Sequence, residues 1–304
     1  DAVLAAVEAE RPAVCVIDSV QTLAAGDAAP GSVAAVRAAT GALLETAKRL
    51  DVSMILIGHV TKDGALAGPR ALEHLVDCVV QFEGERERTF RTLRALKNRF
   101  GATSETGVFE MREGGLVEVA DASARFVGEA SPAAGSVICC AMEGTRPLLV
   151  EVQALVAPTE IVPPRRTATG VDRNRLALVL AVLARHAGIA LSAADVFVNV
   201  AGGIRIDEPG ADLAAALAIA SAHSGTELTA GDRPLACFGE VGLTGELRYV
   251  AHAERRAAEA RKFGLATIVA PPSGDEAIEG LRPAATVADA LRSARTDRPL
   301  RRAA

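Results

Sequence analysis

Six basic side chains are concentrated between Arg86 and Arg99, in a 304-residue chain whose formal net charge is -5. The first 130 residues as a whole carry 14 Lys and Arg against 19 Asp and Glu. A local cation cluster on an acidic background suggests an anionic ligand. The same charges could instead form a solvated hairpin edge that resists edge-to-edge strand pairing. Charge alone does not separate these two interpretations.

The basic stretch ends in a pentapeptide, which consists of Lys97, Asn98, Arg99, Phe100 and Gly101. This pentapeptide, after a strand-like basic run, resembles the signature of the bacterial RadA/Sms family of DNA-repair ATPases. In RecA-like ATPases, cations at this place reach across a subunit boundary to the neighbour's nucleotide. The resemblance therefore implies a catalytic role in trans for Lys97 and Arg99. Such cations would stabilise the charge that builds up on phosphate oxygens during phosphoryl transfer.

A second chemical feature is an acid at the end of an apolar run. Residues 13–17 are all apolar, and Asp18 and Ser19 follow them. An uninterrupted apolar run predicts a strand buried on both faces of a parallel sheet. An acid at its carboxyl end lies where α/β folds bind ligands. We interpret the run as a Walker B strand, in which Asp18 and Ser19 bind MgATP and Asp18 holds Mg²⁺ through water, although short motifs of this kind are common.

The elements that follow place further polar residues at the same edge. A helix is predicted over 32–50 and a second apolar strand over Val52 to Ile57, which implies a parallel sheet with right-handed crossovers. His59 follows that strand and could sense the γ-phosphate, as the polar residue does in RecA-like folds, or could be a structural histidine. In the resemblance, the loops at roughly 22–33 and 62–72 face the channel of a ring and contact DNA.

Three cations in or near those loops are the predicted DNA contacts: Arg37, Lys62 and Arg70. A flexible loop with backbone amides and a few cations suits phosphate contacts without base recognition. Neither loop offers an aromatic stacking platform, so we expect modest and salt-dependent affinity for single strands.

The sequence contains no Gly-x-x-x-x-Gly-Lys-[Ser/Thr] loop, which is the phosphate cradle that precedes a Walker B strand in this fold. The family's architecture places that loop, the general base and a four-cysteine zinc finger before Asp1. The resemblance therefore implies that the chain is the carboxyl-terminal part of a longer protein. It also implies that zinc belongs to the missing part and that this chain alone does not bind ATP productively.

A small, proline- and glycine-bearing segment at 130–135 predicts a domain boundary. We expect residues 1–130 to form the carboxyl-terminal part of a RecA-like α/β ATPase domain with a partial parallel sheet. Residues 131–304 should form an α+β domain that opens with a strand hairpin and an amphipathic helix over 173–186. This second domain resembles the proteolytic domain of Lon protease, and Gly239 to Glu246 carries most of that resemblance.

Lon proteases use a Ser nucleophile and a Lys base. By resemblance, Gly210 occupies the nucleophile position and Glu254 the base position, so we expect a protease scaffold without protease chemistry. The nearby acids Asp207, Glu208 and Asp212 are interpreted as groups that favour the positive end of a helix dipole.

The roles left for a Lon-like domain are assembly into a six-membered ring and binding of duplex DNA. Eight basic residues could create a surface for DNA or could be the solvated face of amphipathic helices: Arg165, Arg166, Arg173, Arg175, Arg255, Arg256, Arg261 and Lys262.

Composition narrows the class of protein. Half of the chain is apolar, yet no apolar run approaches the roughly 20 residues of a membrane span. The five cysteines form no Cys-x-x-Cys spacing, so we predict reduced core thiols in a cytoplasmic protein and no metal ligands. The negative net charge argues against general affinity for nucleic acid, so any DNA contact must be local.

The combined resemblance implies a DNA-dependent, helicase-like ATPase that promotes branch migration in DNA repair and homologous recombination. Its expected partners are single-stranded and branched DNA, five further copies in a homo-hexamer, a recombinase and a replicative helicase. One alternative is a non-enzymatic, ring-forming DNA-binding or adaptor module. Another is a Lon-type ATP-dependent protease, against which Gly210 and Glu254 argue. A RecA-like strand-exchange protein is less favoured, because a large Lon-like domain has no place in one.

Overall fold

The computed structural model of the chain describes residues 2–23, 32–59, 70–84, 90–273 and 277–295. The chain forms two compact units, the first made of residues 1–81 and 95–103, the second of residues 82–94 and 104–304. These units are groups of mutually packed residues, and the domain boundary expected near residue 130 stays a prediction.

The first unit contains a pair of parallel strands with helices beside them. Its helices and strands are α1 (Ala2–Glu10), β1 (Val14–Asp18), α2 (Val33–Leu50), β2 (Ser53–Ile57) and α3 (Arg70–Glu73). Strands β1 and β2 pair in parallel with Asp18 opposite Ile57, so their carboxyl ends lie at one edge. The helix predicted over 32–50 is confirmed, and the hydroxyl of Ser32 caps it by accepting the N–H of Ala35.

The prediction that β1 is buried on both faces is wrong for the described residues. Val14, Val16 and Ile55 are exposed by 53%, 56% and 53%, whereas Ile17 is buried. Side chains alternate between the two faces of a strand. Val14 and Val16 therefore share one face, which is open, and Ile17 lies on the other.

Four further strands form a second sheet in the order of the chain. They are β3 (Cys78–Glu83), β4 (Phe90–Asn98), β5 (Thr106–Arg112) and β6 (Gly115–Glu118). Strands β4, β5 and β6 pair antiparallel, which confirms the hairpin predicted around Gly114 and Gly115. The turn predicted at Gly84 and Glu85 lies partly outside the described residues. Helix α4 (Ala122–Val127) follows, capped by the carboxylate of Asp121, which accepts the N–H of Ala124.

The second unit is built around a seven-stranded sheet with the strand order β17-β16-β13-β7-β8-β10-β9. Its strands are β7 (Ser136–Glu143), β8 (Arg146–Pro158), β9 (Arg166–Thr169), β10 (Ala194–Val200), β11 (Thr229–Ala230), β12 (Arg233–Pro234), β13 (Ala236–Cys237), β14 (Glu240–Val241), β15 (Leu247–Arg248), β16 (Ile268–Ala270) and β17 (Leu281–Pro283). Strand β8 pairs antiparallel with β7 and β10, whereas β13 runs parallel to β7 and β16. The short strands β11 with β12, and β14 with β15, form two separate pairs.

The helices of the second unit pack on this sheet and include one that is buried along most of its length. They are α5 (Arg173–His186), α6 (Asp212–Ser224), α7 (Ala253–Lys262) and α8 (Val287–Arg295). Helix α5 has the bounds that its amphipathic pattern predicts. Helix α6 is apolar on all sides, as expected of a central helix, and Leu213, Leu217 and Ile219 are fully buried. Within the described residues, no helix has both the length and the apolar character needed to cross a membrane.

Residues that precede position 130 join the same core as the seven-stranded sheet. Phe90 and Val108 of the antiparallel strands and Phe126 of α4 are buried in one cluster with Val137 and Cys139 of β7. The rings of Phe90 and Phe126 meet edge to face, with centroids 4.8 Å apart.

The predicted core thiols are confirmed for three of the five free cysteines. Cys139, Cys140 and Cys237 are buried, and burial raises the pKa of the Cys140 thiol to about 12. Cys15 is half-buried. The prediction is wrong for Cys78, which is exposed at the start of β3.

Candidate functional site

The carboxyl edge of β1 and β2 brings three of the predicted nucleotide-binding residues together. Asp18 ends β1 and is exposed, Ser19 is buried, and His59 lies two residues beyond β2. The carbonyl oxygen of Ser19 accepts a hydrogen bond of 2.8 Å from the hydroxyl of Thr22, which fixes the 3-10 turn after β1. The amide of Gln21 donates to the carbonyl oxygen of His59 at 3.5 Å. The two strand ends are therefore linked directly.

The chemistry of this edge fits a hydrated magnesium ion. In the part of the chain that the structure describes, no group of three or more His, Cys, Asp or Glu side chains could hold a metal ion. Mg²⁺ does not need such a group, because it keeps several waters and binds one or two carboxylates together with substrate phosphates. The exposed carboxylate of Asp18 can serve as the single protein group that contacts the ion through water.

Lys97 lies at the end of β4 and is held by its own chain. Its ammonium donates to the carbonyl oxygen of Glu73 at 2.6 Å and to that of Val76 at 2.7 Å. These carbonyls belong to the end of α3 and the turn after it, where helical hydrogen bonding leaves acceptors without partners. Lys97 must give up two charge-assisted hydrogen bonds before it can contact another anion.

Arg99 is held more weakly than Lys97. Its backbone N–H donates to the carbonyl oxygen of Asp77 at 3.0 Å, and its guanidinium lies 2.7 Å from the Asp77 carboxylate. The two side chains are 55% and 41% exposed. Exposed ion pairs of this kind contribute about 0–1 kcal/mol. The guanidinium of Arg99 can therefore exchange Asp77 for another anion at little cost.

The remaining residues of the pentapeptide shape its turn. The side-chain oxygen of Asn98 accepts the N–H of Phe100 at 3.1 Å, and its amide donates to the carbonyl oxygen of Ala102 at 3.3 Å. A Cβ at Gly101 would lie 3.1 Å from that amide nitrogen, which leaves little space for a side chain. Phe100 is 84% exposed. Asn98 and Gly101 thus determine the local backbone, while Phe100 extends into solvent.

In the described residues, the pentapeptide forms no polar contact with Asp18 or His59, although the elements beside these two regions meet in one small core. Val20, Val36 and Leu72 form a small core that joins the turn after β1 to α2 and α3. Within the described residues, the side chains of Lys97 and Arg99 form hydrogen bonds with residues 73–77 and none with Asp18 or His59.

Of the predicted DNA contacts, Arg37 alone has a described side chain. It is exposed near the start of α2. Lys62 lies outside the described residues, and Arg70 begins α3 with a side chain that lies outside them. Their contacts with DNA stay predictions.

In the second unit, Arg256 is buried, so its inclusion in a basic surface is wrong. Its side chain is 2% exposed and forms two hydrogen bonds of 2.6 Å with the carboxylate of Glu208. It also donates to the carbonyl oxygen of Cys140 at 2.7 Å and lies over the ring of Phe238, 5.4 Å from its centroid. A buried cation requires such partners because leaving it unpaired is costly.

The same ion pair lies beside the position that the resemblance assigns to a protease nucleophile. A Cβ at Gly210 would lie 3.0 Å from an oxygen of Glu208 and 3.2 Å from a nitrogen of Arg256. Glu254 is exposed in the first turn of α7. Neither Gly210 nor Glu254 offers the hydroxyl or the amine that Ser–Lys acyl transfer uses.

The acids interpreted as helix-dipole groups have more specific partners. Asp207 pairs with Arg205, and Asp212 pairs with Arg175. Asp212 also accepts the N–H of Val241 at 3.1 Å. Burial raises the pKa of Asp212, and the hydrogen bond from Arg175 opposes that change.

Sequence reasoning did not find the partners of the pentapeptide. Asp77 lies 22 residues before Arg99, and the two carbonyl oxygens that hold Lys97 are 24 and 21 residues before it. Carbonyl groups carry no sequence signal, and an isolated Asp at this separation is not distinctive. The placement of α3 beside β4 decides these contacts.

The fold and the site together define a mixed α/β protein with parallel strands that fit a RecA-like ATPase core. A protein-family model described as subunit ChlI of Mg-chelatase matches residues 150–274, which lie in the second unit. The chain is 48% identical over 301 residues to the DNA repair protein RadA of Bacillus subtilis (strain 168), an alignment that covers 95% of this chain and 64% of the relative.

Two further relatives carry the same name. Identity is 50% over 273 residues with DNA repair protein RadA of Streptococcus pneumoniae, covering 88% of this chain and 64% of the relative. Identity is 49% over 263 residues with the DNA repair protein RadA of Halalkalibacterium halodurans, covering 86% of this chain and 57% of the relative. The chain belongs to the family of bacterial RadA DNA repair proteins. It spans less than two thirds of the length of these relatives.

Proposed function

We propose that the complete gene product is a DNA-dependent ATPase of DNA repair and homologous recombination, a helicase-like motor that promotes branch migration. The names of the relatives support the place of the protein in DNA repair. The ATPase proposal rests on the exposure of the Arg99 guanidinium. Its ion pair with Asp77 is weak, so the guanidinium is available to an incoming phosphate.

In this proposal, each residue at the site has one task. Asp18, with Ser19 beside it, holds hydrated Mg²⁺, and His59 senses the γ-phosphate. Lys97 and Arg99 act on the nucleotide of a neighbouring subunit. ATP with Mg²⁺ supplies the phosphoryl group and neutralises part of its charge. An inserted guanidinium stabilises the charge that develops in the transition state more than the charge of the ground state.

The second unit is proposed to be a Lon protease-like scaffold that assembles six copies into a ring. Gly210 and Glu254 support a scaffold role because they carry no nucleophile and no base. A ring brings Arg99 of one subunit to the site of the next. Single-stranded and branched DNA are the proposed nucleic-acid partners, with Arg37, Lys62 and Arg70 as phosphate contacts. A recombinase and a replicative helicase are the proposed protein partners.

The test compares Arg99→Ala with Asp77→Asn in the complete gene product. Arg99→Ala should lower DNA-stimulated ATP turnover by about a thousandfold, the usual contribution of an arginine that acts in trans. The affinity for nucleotide, measured with a fluorescent ATP analogue, should stay within about twofold of that of the unmodified protein, because the lost interaction belongs to the transition state. Lys97→Ala should lower turnover in the same direction, although it also removes two contacts with the end of α3.

Asp77→Asn is the matched control, because it breaks the same ion pair and keeps the cation. If Arg99 acts on a phosphate, Asp77→Asn should turn over ATP like the unmodified protein. If Arg99 serves only to hold Asp77, the two variants should lose activity equally, and the proposed role is then wrong. Unchanged turnover in both Lys97→Ala and Arg99→Ala would favour the non-enzymatic adaptor.

A further inference from the structure

The turn between β7 and β8 contacts the chain at both ends of segment 95–103, which carries the pentapeptide. At one end, the guanidinium of Arg94 lies 2.7 Å from the carboxylate of Glu143. At the other end, the carbonyl oxygen of Ser104 accepts the N–H of Thr145 at 2.8 Å. One turn therefore holds two points of the chain that are separated by the whole segment.

The contact with Ser104 requires a glycine in the turn. Gly144 has a φ of +62°, in the left-handed region that L side chains rarely adopt. A Cβ at Gly144 would lie 1.8 Å from the carbonyl oxygen of Ser104, which is far inside van der Waals contact. The approach of the two backbones is therefore closer than any other residue type allows.

The contact with Arg94 is a largely buried ion pair. The side chains of Arg94 and Glu143 are 23% and 11% exposed, and Arg94 also lies 3.3 Å from the carboxylate of Glu83. Burial raises the pKa of Glu143 to about 7, Arg94 opposes that change, and the charges of Glu83, Asp207 and Glu208 add to it. A pair in such surroundings has a defined geometry, and loss of Arg94 leaves the carboxylate of Glu143 without its cation.

The strand that carries this turn is itself fixed to the core of the second unit. The N–H of Met142 donates to Glu208 at 2.6 Å, and Glu208 is held by the buried Arg256. Arg256 also donates to the carbonyl oxygen of Cys140 in β7. Glu143 therefore extends from a strand end whose position is determined by a buried hydrogen-bond network.

We propose that Arg94, Glu143 and Gly144 are positioning residues for the pentapeptide, because they fix both ends of segment 95–103 and so orient Arg99. This inference rests on the proposed function of Arg99. A segment with two fixed ends samples fewer conformations than one with a free end. Misplacement of a catalytic group by about 1 Å can cost 10²-fold in rate, so a firm base for Arg99 matters to turnover.

The test measures kcat and KM for ATP in the complete gene product that carries Glu143→Gln. This change removes the carboxylate that pairs with Arg94 and keeps the size of the side chain, and the assay is run above the Glu143 pKa of about 7, where that carboxyl is ionised. We expect kcat to fall roughly 10- to 100-fold, with KM within about twofold, because the defect lies in the orientation of a transition-state contact. Arg94→Lys, which keeps the charge, should retain more activity than Arg94→Gln and tests the same contact if Glu143→Gln does not fold.

A double variant distinguishes a positioning role of Glu143 from general structural damage. In Arg99→Ala, the further change Glu143→Gln should lower kcat no more, because the two residues act through one group. A multiplied loss in the double variant would overturn the inference, because it would mean that Glu143 acts independently of Arg99.

The chain offers a matched ion pair as a control. Arg112 and Glu110 lie 2.7 Å apart on the same four-stranded sheet, outside segment 95–103. Arg112→Gln should leave kcat unchanged. A normal kcat in Glu143→Gln, with the expected loss in Arg99→Ala, would overturn the positioning role alone. A normal kcat in Arg99→Ala would instead overturn the proposed function.

Discussion

At the scale of single residues, Glu143 links packing to proton binding. Its side chain is 11% exposed, and burial raises the pKa of its carboxyl to about 7 despite the pair with Arg94. The fold therefore retains a proton on this group at pH values where the unfolded chain has released it. By linkage, such a group makes the free energy of unfolding decrease as pH rises from about 4.5 towards about 7.

Glu143→Gln should remove this part of the pH dependence, since glutamine does not titrate. The free energy of unfolding of the variant, relative to the unmodified chain, should rise by up to about 1.4 kcal/mol per pH unit across that window. Urea denaturation at several pH values from 4.5 to 7.5 measures this slope. A difference that stays constant with pH would contradict the raised pKa.

Glu246→Gln is the control for that experiment, because the pKa of Glu246 is shifted the other way. Hydrogen bonds, first that from Thr244, lower the pKa of its exposed carboxyl to about 2. The associated stability is present above the unfolded pKa and is lost as pH falls below about 4.5. Between pH 5 and 7, Glu246→Gln should therefore differ from the unmodified chain by a constant amount.

At the scale of secondary-structure elements, Arg256 connects parts that are distant in the sequence. It extends from α7, donates to β7 at Cys140, and pairs with Glu208 in the segment before α6. These contacts also bring it next to Gly210. A side chain from one helix therefore determines where the end of β7 and the entry to the central helix lie.

Arg256→Ala should lower the free energy of unfolding by about 3–5 kcal/mol, because it leaves the carboxylate of Glu208 without its partner in a buried setting. Urea denaturation of the complete gene product, followed by circular dichroism, provides the measurement. Lys262→Ala in the same helix is the control, since its side chain is 69% exposed in a pair with Glu259, and it should change stability by about 0.5 kcal/mol or less. Equal effects of the two variants would contradict the structural role of Arg256.

At the scale of the whole molecule, the proposed chemistry requires more than one copy of the chain. Within one chain, Lys97 and Arg99 bind residues 73–77, and neither forms a hydrogen bond or ion pair with Asp18 in the described residues. A cation that acts in trans is consistent with this separation. Closed rings place every such residue at the same kind of interface.

Light scattering of the complete gene product should therefore give a six-fold mass, with and without ATP, at micromolar protein concentrations. Assembly by mass action means that the measurement must cover a range of concentrations. A monomer at every concentration and in both nucleotide conditions would exclude the trans role of Arg99. It would then favour a module whose partner supplies the assembly.

The sequence predicted the elements whose signals are local. The amphipathic pattern indicated α5 from Arg173 to His186, and Ser32 marked the start of α2, because helix periodicity and capping depend on neighbouring residues alone. Residue types also indicated the acidic edge at Asp18 and the cations Lys97 and Arg99.

Tertiary structure alone decided which of these groups meet and which are buried. Three contacts show this: Lys97 with Val76, Arg256 with Glu208, and Arg94 with Glu143. Each joins residues that are at least 21 positions apart in the sequence. The exposed face of β1 likewise depends on which elements lie beside it and not on its own apolar sequence. Such contacts arise from the packing of whole elements, and short-range patterns contain no information about long-range packing.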